Sequence, residues 1–173
     1  IHPAGRHFLQ IPGPSNVPDS VLRAMSEAVI DHRGPNFPEL THEILSQLKP
    51  IFNTQGPIVI FPSSGTGAWE AALVNTLSPG DKILAFETGW FAILWKQMAE
   101  KLGMEVEWVP GDWRTSVDPQ LVEEKLRSDT KKSIKAVCVV HNETSTGTTS
   151  RLSEIRGAID ETEHPALFMV DTI

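Results

Sequence analysis

A glycine-rich loop links an apolar run to an alanine-rich helical pattern in the stretch FPSSGTGAWEAAL at 61–73. Gly65 allows a close backbone approach, the helix start offers unpaired N–H groups, and Ser64 and Thr66 add hydroxyl donors. These features suit a phosphate, although a capped helix after a tight turn explains the same residues. The loop has neither the lysine of a P-loop nor the third glycine of a dinucleotide fingerprint, so it favours a phosphate without a nucleotide.

A carboxylate, Asp171, ends the apolar run at 166–171. Such a group is costly to bury unless it pairs with a cation or a strong donor. An N-cap or a solvent-facing residue at the end of a strand is the alternative interpretation. With a phosphate loop on the same sheet, the pyridinium nitrogen of pyridoxal phosphate fits as the partner, because a neighbouring carboxylate keeps that ring protonated.

The remaining reactive residue types give weaker signals. Cys138 lies inside the apolar run 136–140, which predicts a buried structural thiol and argues against cysteine desulfurase chemistry, since that chemistry needs a reactive loop cysteine. The histidines lack metal-ligand spacing with any cysteine or carboxylate, so we expect no metal site.

The elements that must position these residues alternate along the chain. Strand-like segments lie near 58–62, 82–87, 105–109, 134–141 and 166–171. Helical patterns open at 18–20 and near 37–40, the second running toward Phe52, and continue near 65–77, 91–103, 118–127 and 152–162. This alternation predicts an α/β fold with a mostly parallel sheet and helices on both faces. Functional residues are then expected at the carboxyl ends of the strands.

Composition narrows the class of protein. The chain has 173 residues, 40% of them hydrophobic, and a formal net charge of -7. It can bury one sizeable core, and its charge makes nucleic acid and an anionic membrane surface poor partners. A single cysteine and the lack of a signal-peptide pattern predict an intracellular protein, cytoplasmic in a bacterium, with the peroxisome as an option in a eukaryote.

The two ends predict an incomplete domain. Residues 1–17 are rich in glycine and proline and read as an extended N-terminal arm, which leaves 18–173 as a large cofactor-binding domain. The chain stops at an apolar strand with nothing after it to cover it. We therefore expect the N-terminal part of a longer polypeptide, with the rest of the large domain and a C-terminal small domain outside this chain.

Five motifs in order resemble the class V pyridoxal-phosphate aminotransferases, most closely the serine–glyoxylate and alanine–glyoxylate group. The motifs are GPSNVP at 13–18, DHRGP at 31–35, SGTGAWEAAL at 64–73, HNETSTG at 141–147 and VD at 170–171. The resemblance covers nearly the whole chain. It implies the large domain of a type I pyridoxal-phosphate transferase and a homodimer that binds an amino acid and glyoxylate.

The resemblance also implies roles for individual residues. The loop of Ser64, Gly65 and Thr66 would hold the cofactor phosphate, and the cofactor ring would lie between Phe91 and Ile173.

At the edges of the ring, Thr144 would form a hydrogen bond with the cofactor, although a hydroxyl that caps its own loop is the alternative. Asp171 would pair with the pyridine nitrogen, and Gly13 would lie near the substrate carboxylate.

Two residues of the family have no counterpart at 1–173. They are the lysine that binds the cofactor covalently, in a Ser-Gln-Lys context, and the arginine that binds the substrate α-carboxylate. Two alternatives to serine or alanine transamination remain, and only the second depends on the missing lysine. One is ureidoglycine–glyoxylate transfer, and the other is a noncatalytic module with the cofactor-binding fold, if the chain is complete as given.

Overall fold

Helices and strands alternate through most of the chain in the structure, a computed structural model that describes residues 9–173. The strands in this range are Lys82–Phe86 (β1), Glu105–Val109 (β2), Ile134–Val140 (β3) and Leu167–Asp171 (β4). The helices are Asp19–Met25 (α1), Asn36–Ile51 (α2), Gly65–Thr76 (α3), Trp90–Lys101 (α4), Pro119–Ser128 (α5) and Leu152–Glu161 (α6). The chain divides into two compact units between Ile60 and Phe61.

The first unit contains the two helices predicted before the glycine loop. Both form, and neither α1 nor α2 has a buried residue. Of the predicted arm, residues 1–8 lie outside the described residues, and 9–17 contain no helix or strand. The proposed division into an arm and one incomplete large domain stays a prediction.

The strand predicted near 58–62 was wrong. This run forms no strand, and Val59 and Ile60 are exposed. An apolar run becomes a strand only where another strand satisfies its backbone hydrogen bonds, and the four-stranded sheet does not pair with this one. The run also crosses the division between the two units.

The second unit contains a sheet in the order β2-β1-β3-β4, and every neighbouring pair is parallel. Alternate side chains of the strands face opposite sides, and each side carries its own apolar cluster. One cluster joins Ile83 and Cys138 to buried residues of α3 and α4. The other joins Leu84 and Val137 to buried residues of α5 and α6. The predicted α/β fold with helices on both faces is confirmed.

The connections diverge between the two central strands. The helix that follows β1 is α4, which packs on one face, whereas the helix that follows β3 is α6, which packs on the other. In an open parallel sheet, this divergence creates a crevice at the carboxyl ends of the strands, where ligands bind. The loops at 87–89 and 141–147 border that crevice.

Candidate active site

The N-terminus of α3 presents several unpaired donors. The helix begins at Gly65, and the side chain of its N-cap residue Ser64 makes no capping hydrogen bond. Within residues 9–173, the N–H groups of Gly65 and Thr66 and the hydroxyls of Ser64 and Thr66 have no hydrogen-bond partner. Free N–H groups at a helix start, together with the helix dipole, favour an anion. The donor set therefore fits a phosphate group.

The loop before α3 lies against Ile173. A Cβ atom on Gly65 would lie 2.6 Å from the Cδ1 atom of Ile173, closer than real Cβ contacts allow. Because this atom is the far end of a flexible side chain, a shift of Ile173 would admit a small side chain at position 65. Ile173 itself is 84% exposed, so most of its side chain is available for contact with a ligand.

Asp171 lies at the carboxyl end of β4 and is partly buried. Its Oδ2 atom accepts a hydrogen bond from the indole N–H of Trp69 at 3.0 Å. Its Oδ1 atom accepts from the backbone N–H of Ile173, also at 3.0 Å. A carboxylate has about four acceptor sites, so each oxygen can accept a further hydrogen bond.

Trp69 connects Asp171 to the aromatic residue predicted to stack on the ring. The rings of Trp69 and Phe91 meet edge to face, with centroids 6.4 Å apart and planes at 69°. On its other side Trp69 stacks on Trp95 at 5.7 Å and 11°. The start of α3, the end of β4 and the start of α4 therefore lie together at one edge of the sheet.

A buried carboxylate, Glu143, occupies the crevice between the two central strands. It is 1% exposed and lies three residues after the end of β3. Its oxygens accept from the backbone N–H groups of Phe91 at 3.3 Å and Ala92 at 3.2 Å. They also accept from the N–H and hydroxyl of Ser145, at 3.1 and 2.7 Å. Glu143 thus caps α4 from another loop and fixes the backbone that carries Phe91.

The loop that contains Thr144 is tied to the loop after β1. Ser145 Oγ accepts from the Trp90 N–H at 2.8 Å, and the Thr146 hydroxyl donates to the Thr88 carbonyl at 3.2 Å. Thr144 is exposed, and its hydroxyl has no partner within the described part of the chain. This hydroxyl is therefore free to bind a ligand beside the crevice.

The structure brings most of the predicted residues to one place. Those in the second unit lie at the carboxyl edge of the sheet: Ser64, Gly65, Thr66, Phe91, Thr144, Asp171 and Ile173. Gly13 lies in the first unit, and its role stays a prediction.

Sequence reasoning assigned no role to Trp69 or Glu143. The sequence contained a signal for Glu143, namely a carboxylate close to the end of an apolar run. The same kind of signal had led to the prediction for Asp171. For Trp69 the signal was weaker, namely one large aromatic residue in an alanine-rich helix.

Cys138 is buried in β3, and burial raises the pKa of its thiol to about 12. The thiolate is the nucleophilic form, so this cysteine is held unreactive. The interpretation of Cys138 as a structural residue agrees with its position.

A family model described as class V aminotransferase matches residues 7–173. Within residues 9–173, no helix combines the length and apolar character needed to cross a membrane.

Three known proteins illustrate the similarity. The serine–glyoxylate aminotransferase of Methylorubrum extorquens is 49% identical over 98% of this chain and 42% of its own length. The L-aspartate–glyoxylate aminotransferase of Paracoccus denitrificans is 42% identical over 94% of this chain and 41% of its own. The crystal structure of ureidoglycine–glyoxylate aminotransferase from Bacillus subtilis is 32% identical, with a TM-score of 0.84 over 94% of this chain and 41% of that chain. The chain thus spans less than half the length of each.

Proposed function

Because this chain belongs to the class V aminotransferase family, we propose that it supplies the phosphate- and ring-binding residues of an aminotransferase that uses pyridoxal phosphate and glyoxylate. One observation carries the proposal. The unpaired donors at the start of α3 lie one turn before Trp69, whose indole N–H donates to the partly buried carboxylate at the end of β4. The activity is proposed for the intact protein, since this chain spans 42% of a matched relative.

The residues at the site fit this cofactor in their chemistry. Gly65 and Thr66 offer N–H groups and Ser64 and Thr66 offer hydroxyls for the phosphate, and Asp171 has acceptor capacity left for a protonated ring nitrogen. When bound, pyridoxal phosphate withdraws electrons from the Cα atom of the amino acid. That chemistry depends on a protonated pyridine nitrogen, which a carboxylate stabilises.

The remaining residues would orient the ring and shield it. Phe91 and Ile173 would supply apolar surface for its two faces, and Thr144, whose side chain is exposed, would supply a hydroxyl at its edge. Together these residues would hold the ring beside Asp171, whose carboxylate would stabilise a proton on the ring nitrogen.

Glyoxylate is the better supported of the two substrates. The three matched proteins are named for glyoxylate but differ in the amino donor, which is serine, L-aspartate or ureidoglycine. We propose serine as the donor here because the serine enzyme is 49% identical, with alanine, ureidoglycine and L-aspartate as the competing donors.

Assembly and substrate contacts outside the second unit are also proposals. We expect a homodimer in an intracellular compartment, with Gly13 near the substrate carboxylate. A noncatalytic role is the alternative if the intact protein has no lysine in a Ser-Gln-Lys context. None of the lysines at 1–173 has that context.

Replacement of Asp171 by asparagine tests the proposed function. In the intact protein, Asp171→Asn keeps the size of the side chain and removes its charge. We expect glycine formation from serine and glyoxylate, per bound cofactor, to fall by about a hundredfold or more, because an interaction that stabilises the transition state is lost. Cofactor retention through the phosphate should change much less. A rate within about threefold of the parent would contradict the role proposed for Asp171, and an intact parent that forms no glycine with bound cofactor would contradict the proposed activity.

A further inference from the structure

Within residues 9–173, Trp69 supplies the only side-chain hydrogen bond to Asp171. It lies on α3 one turn after Gly65 and is 7% exposed. Its N–H donates to Asp171 Oδ2 at 3.0 Å, across 102 positions of sequence. A neutral indole is a donor only, so this hydrogen bond has a defined direction.

The position of the indole is set by packing. Trp69 stacks on Trp95 and meets Phe91 edge to face, and all three lie in or against the apolar cluster between the sheet and the two helices. A large aromatic side chain with this many contacts has little rotational freedom. The N–H is therefore held in one place before any ligand binds.

The two hydrogen bonds to Asp171 restrict its carboxylate plane. Trp69 holds Oδ2, and the backbone N–H of Ile173 holds Oδ1. With a single donor a carboxylate can still turn about its χ2 torsion, whereas donors on both oxygens oppose that rotation. The orientation of the remaining acceptor sites follows from these two contacts.

We propose that Trp69 is a positioning residue, which orients the Asp171 carboxylate toward the ring nitrogen. It also holds this carboxylate at a constant position relative to Phe91 and the phosphate loop. The inference rests on the proposed function, because it takes Asp171 as the partner of the cofactor. One rigid side chain then links the helix that binds the phosphate, the strand end that binds the nitrogen and the helix that carries the stacking ring.

The chain offers a matched control in Trp95. It is also buried, lies against the same indole, and its N–H has no hydrogen-bond partner among the described residues. Trp69→Phe and Trp95→Phe therefore remove the same atoms from the same cluster, but only the first removes a hydrogen bond to Asp171.

The first measurement needs no cofactor. In the intact, cofactor-free protein labelled with 15N, Asp171→Ala should move the indole N–H resonance of Trp69 and leave that of Trp95 in place. Because this comparison keeps both tryptophans, it remains decisive if Trp69→Phe does not fold. An unmoved Trp69 resonance would overturn the inference.

The second measurement is steady-state kinetics normalised to bound cofactor. Trp69→Phe should lower kcat by about tenfold or more, the factor expected for one hydrogen bond to a charged group, with KM for the amino donor nearly unchanged. Trp95→Phe should stay within about twofold of the parent. In an Asp171→Ala background, which has no carboxylate to orient, Trp69→Phe should have little further effect. Equal losses in the two tryptophan variants would reduce Trp69 to a packing residue.

The two proposals fail in different ways. If the intact parent forms no glycine with bound cofactor, the proposed function is wrong, and if Asp171→Asn leaves that turnover intact, the role of Asp171 is wrong. If Asp171→Asn lowers turnover while Trp69→Phe behaves like Trp95→Phe, only the role of Trp69 is wrong.

Discussion

The carboxylate of Glu143, in the loop after β3, accepts a hydrogen bond at 3.3 Å from the backbone N–H of Phe91, in the first turn of α4. This contact joins the start of α4 to the loop after β3, beside the crevice where the connections of β1 and β3 diverge. A carboxylate at the N-terminus of α4 interacts favourably with the positive end of the helix dipole. It also accepts a hydrogen bond from the backbone N–H of Ala92. The stacking residue of the proposed site is thus held by its backbone as well as by its ring.

Glu143→Gln should destabilise the intact protein. The substitution keeps the shape but places an amide NH2 group among N–H and O–H donors in a site that is 1% exposed. We expect a loss of about 1 to 3 kcal/mol in the free energy of unfolding, measured with urea. Glu70→Gln, at an exposed position of α3, makes the same change in charge and should have almost no effect. Similar losses at both positions would show that the buried cap contributes little.

Gly89 should tolerate no side chain at the same junction. A Cβ atom there would lie 2.5 Å from Glu143 Cγ and 2.5 Å from Ser145 Oγ. Gly89→Ala should therefore cost about 1 to 3 kcal/mol through overpacking. Gly157→Ala, inside α6 with nothing within 4 Å of the new methyl, should stabilise by about 0.5 to 1 kcal/mol. Thermal unfolding of the two variants should shift in opposite directions, and a shift in the same direction would contradict the packing argument.

The sequence allowed most of the sheet to be predicted because its strands are short apolar runs bounded by turn residues. It failed at 58–62, where the apolar pattern is equally clear, since a pattern of side chains cannot reveal whether a partner strand is present. For the candidate site, the glycine loop and Asp171 were predicted from local chemistry, and their roles stay predictions. The bond from Trp69 to Asp171 was not, because it spans 102 positions and depends on how α3 packs against the sheet.

A buried histidine at the opposite end of the sheet predicts a dependence of stability on pH. His164 Nδ1 accepts the Ala166 N–H at 3.2 Å, and its Nε2 lies 3.3 Å from Asp129 Oδ2. The neutral ring fits both contacts, whereas a protonated ring would place two N–H groups against each other at Ala166. Burial lowers the pKa of His164 below its usual value of 6.5, against the opposing effect of Asp129, and nearby Lys132 and Lys135 lower it further.

The sign of the effect follows from the direction of the shift. With a lowered folded pKa, the unfolded chain takes up the proton first as the pH falls through 6.5. The free energy of unfolding should therefore decrease below that pH, by at most about 1.4 kcal/mol per pH unit for one proton. His164→Gln should flatten the slope between pH 7 and 5 in urea titrations, while His42→Gln, at an exposed position, should not. An unchanged slope in His164→Gln would assign the dependence to other groups.

Asp129 should add a second, more acidic transition. Burial opposes its ionisation, but hydrogen bonds from Ile134 and Ser133 outweigh that cost and lower its pKa to about 2. The contribution of ionised Asp129 to the free energy of unfolding is therefore complete above pH 3.8, the ordinary pKa of an aspartate, and is lost as the pH falls toward 2. Asp129→Asn should remove this acid-dependent loss in urea titrations from pH 4 to 2, and persistence of the loss would contradict the assignment.

Thr66 provides the sharpest test of the phosphate loop. Thr66→Val removes one hydroxyl and keeps the β-branched shape, so α3 should still form. We expect affinity for pyridoxal phosphate to weaken by roughly 1 to 2 kcal/mol, as for one hydrogen bond to a charged group. Thr76→Val makes the same substitution at the other end of α3, where the hydroxyl donates to the Ala72 carbonyl at 2.6 Å. The affinity of Thr76→Val for pyridoxal phosphate, measured by absorbance, should match that of the parent. Equal affinities in the two variants would show that the start of α3 does not bind the phosphate.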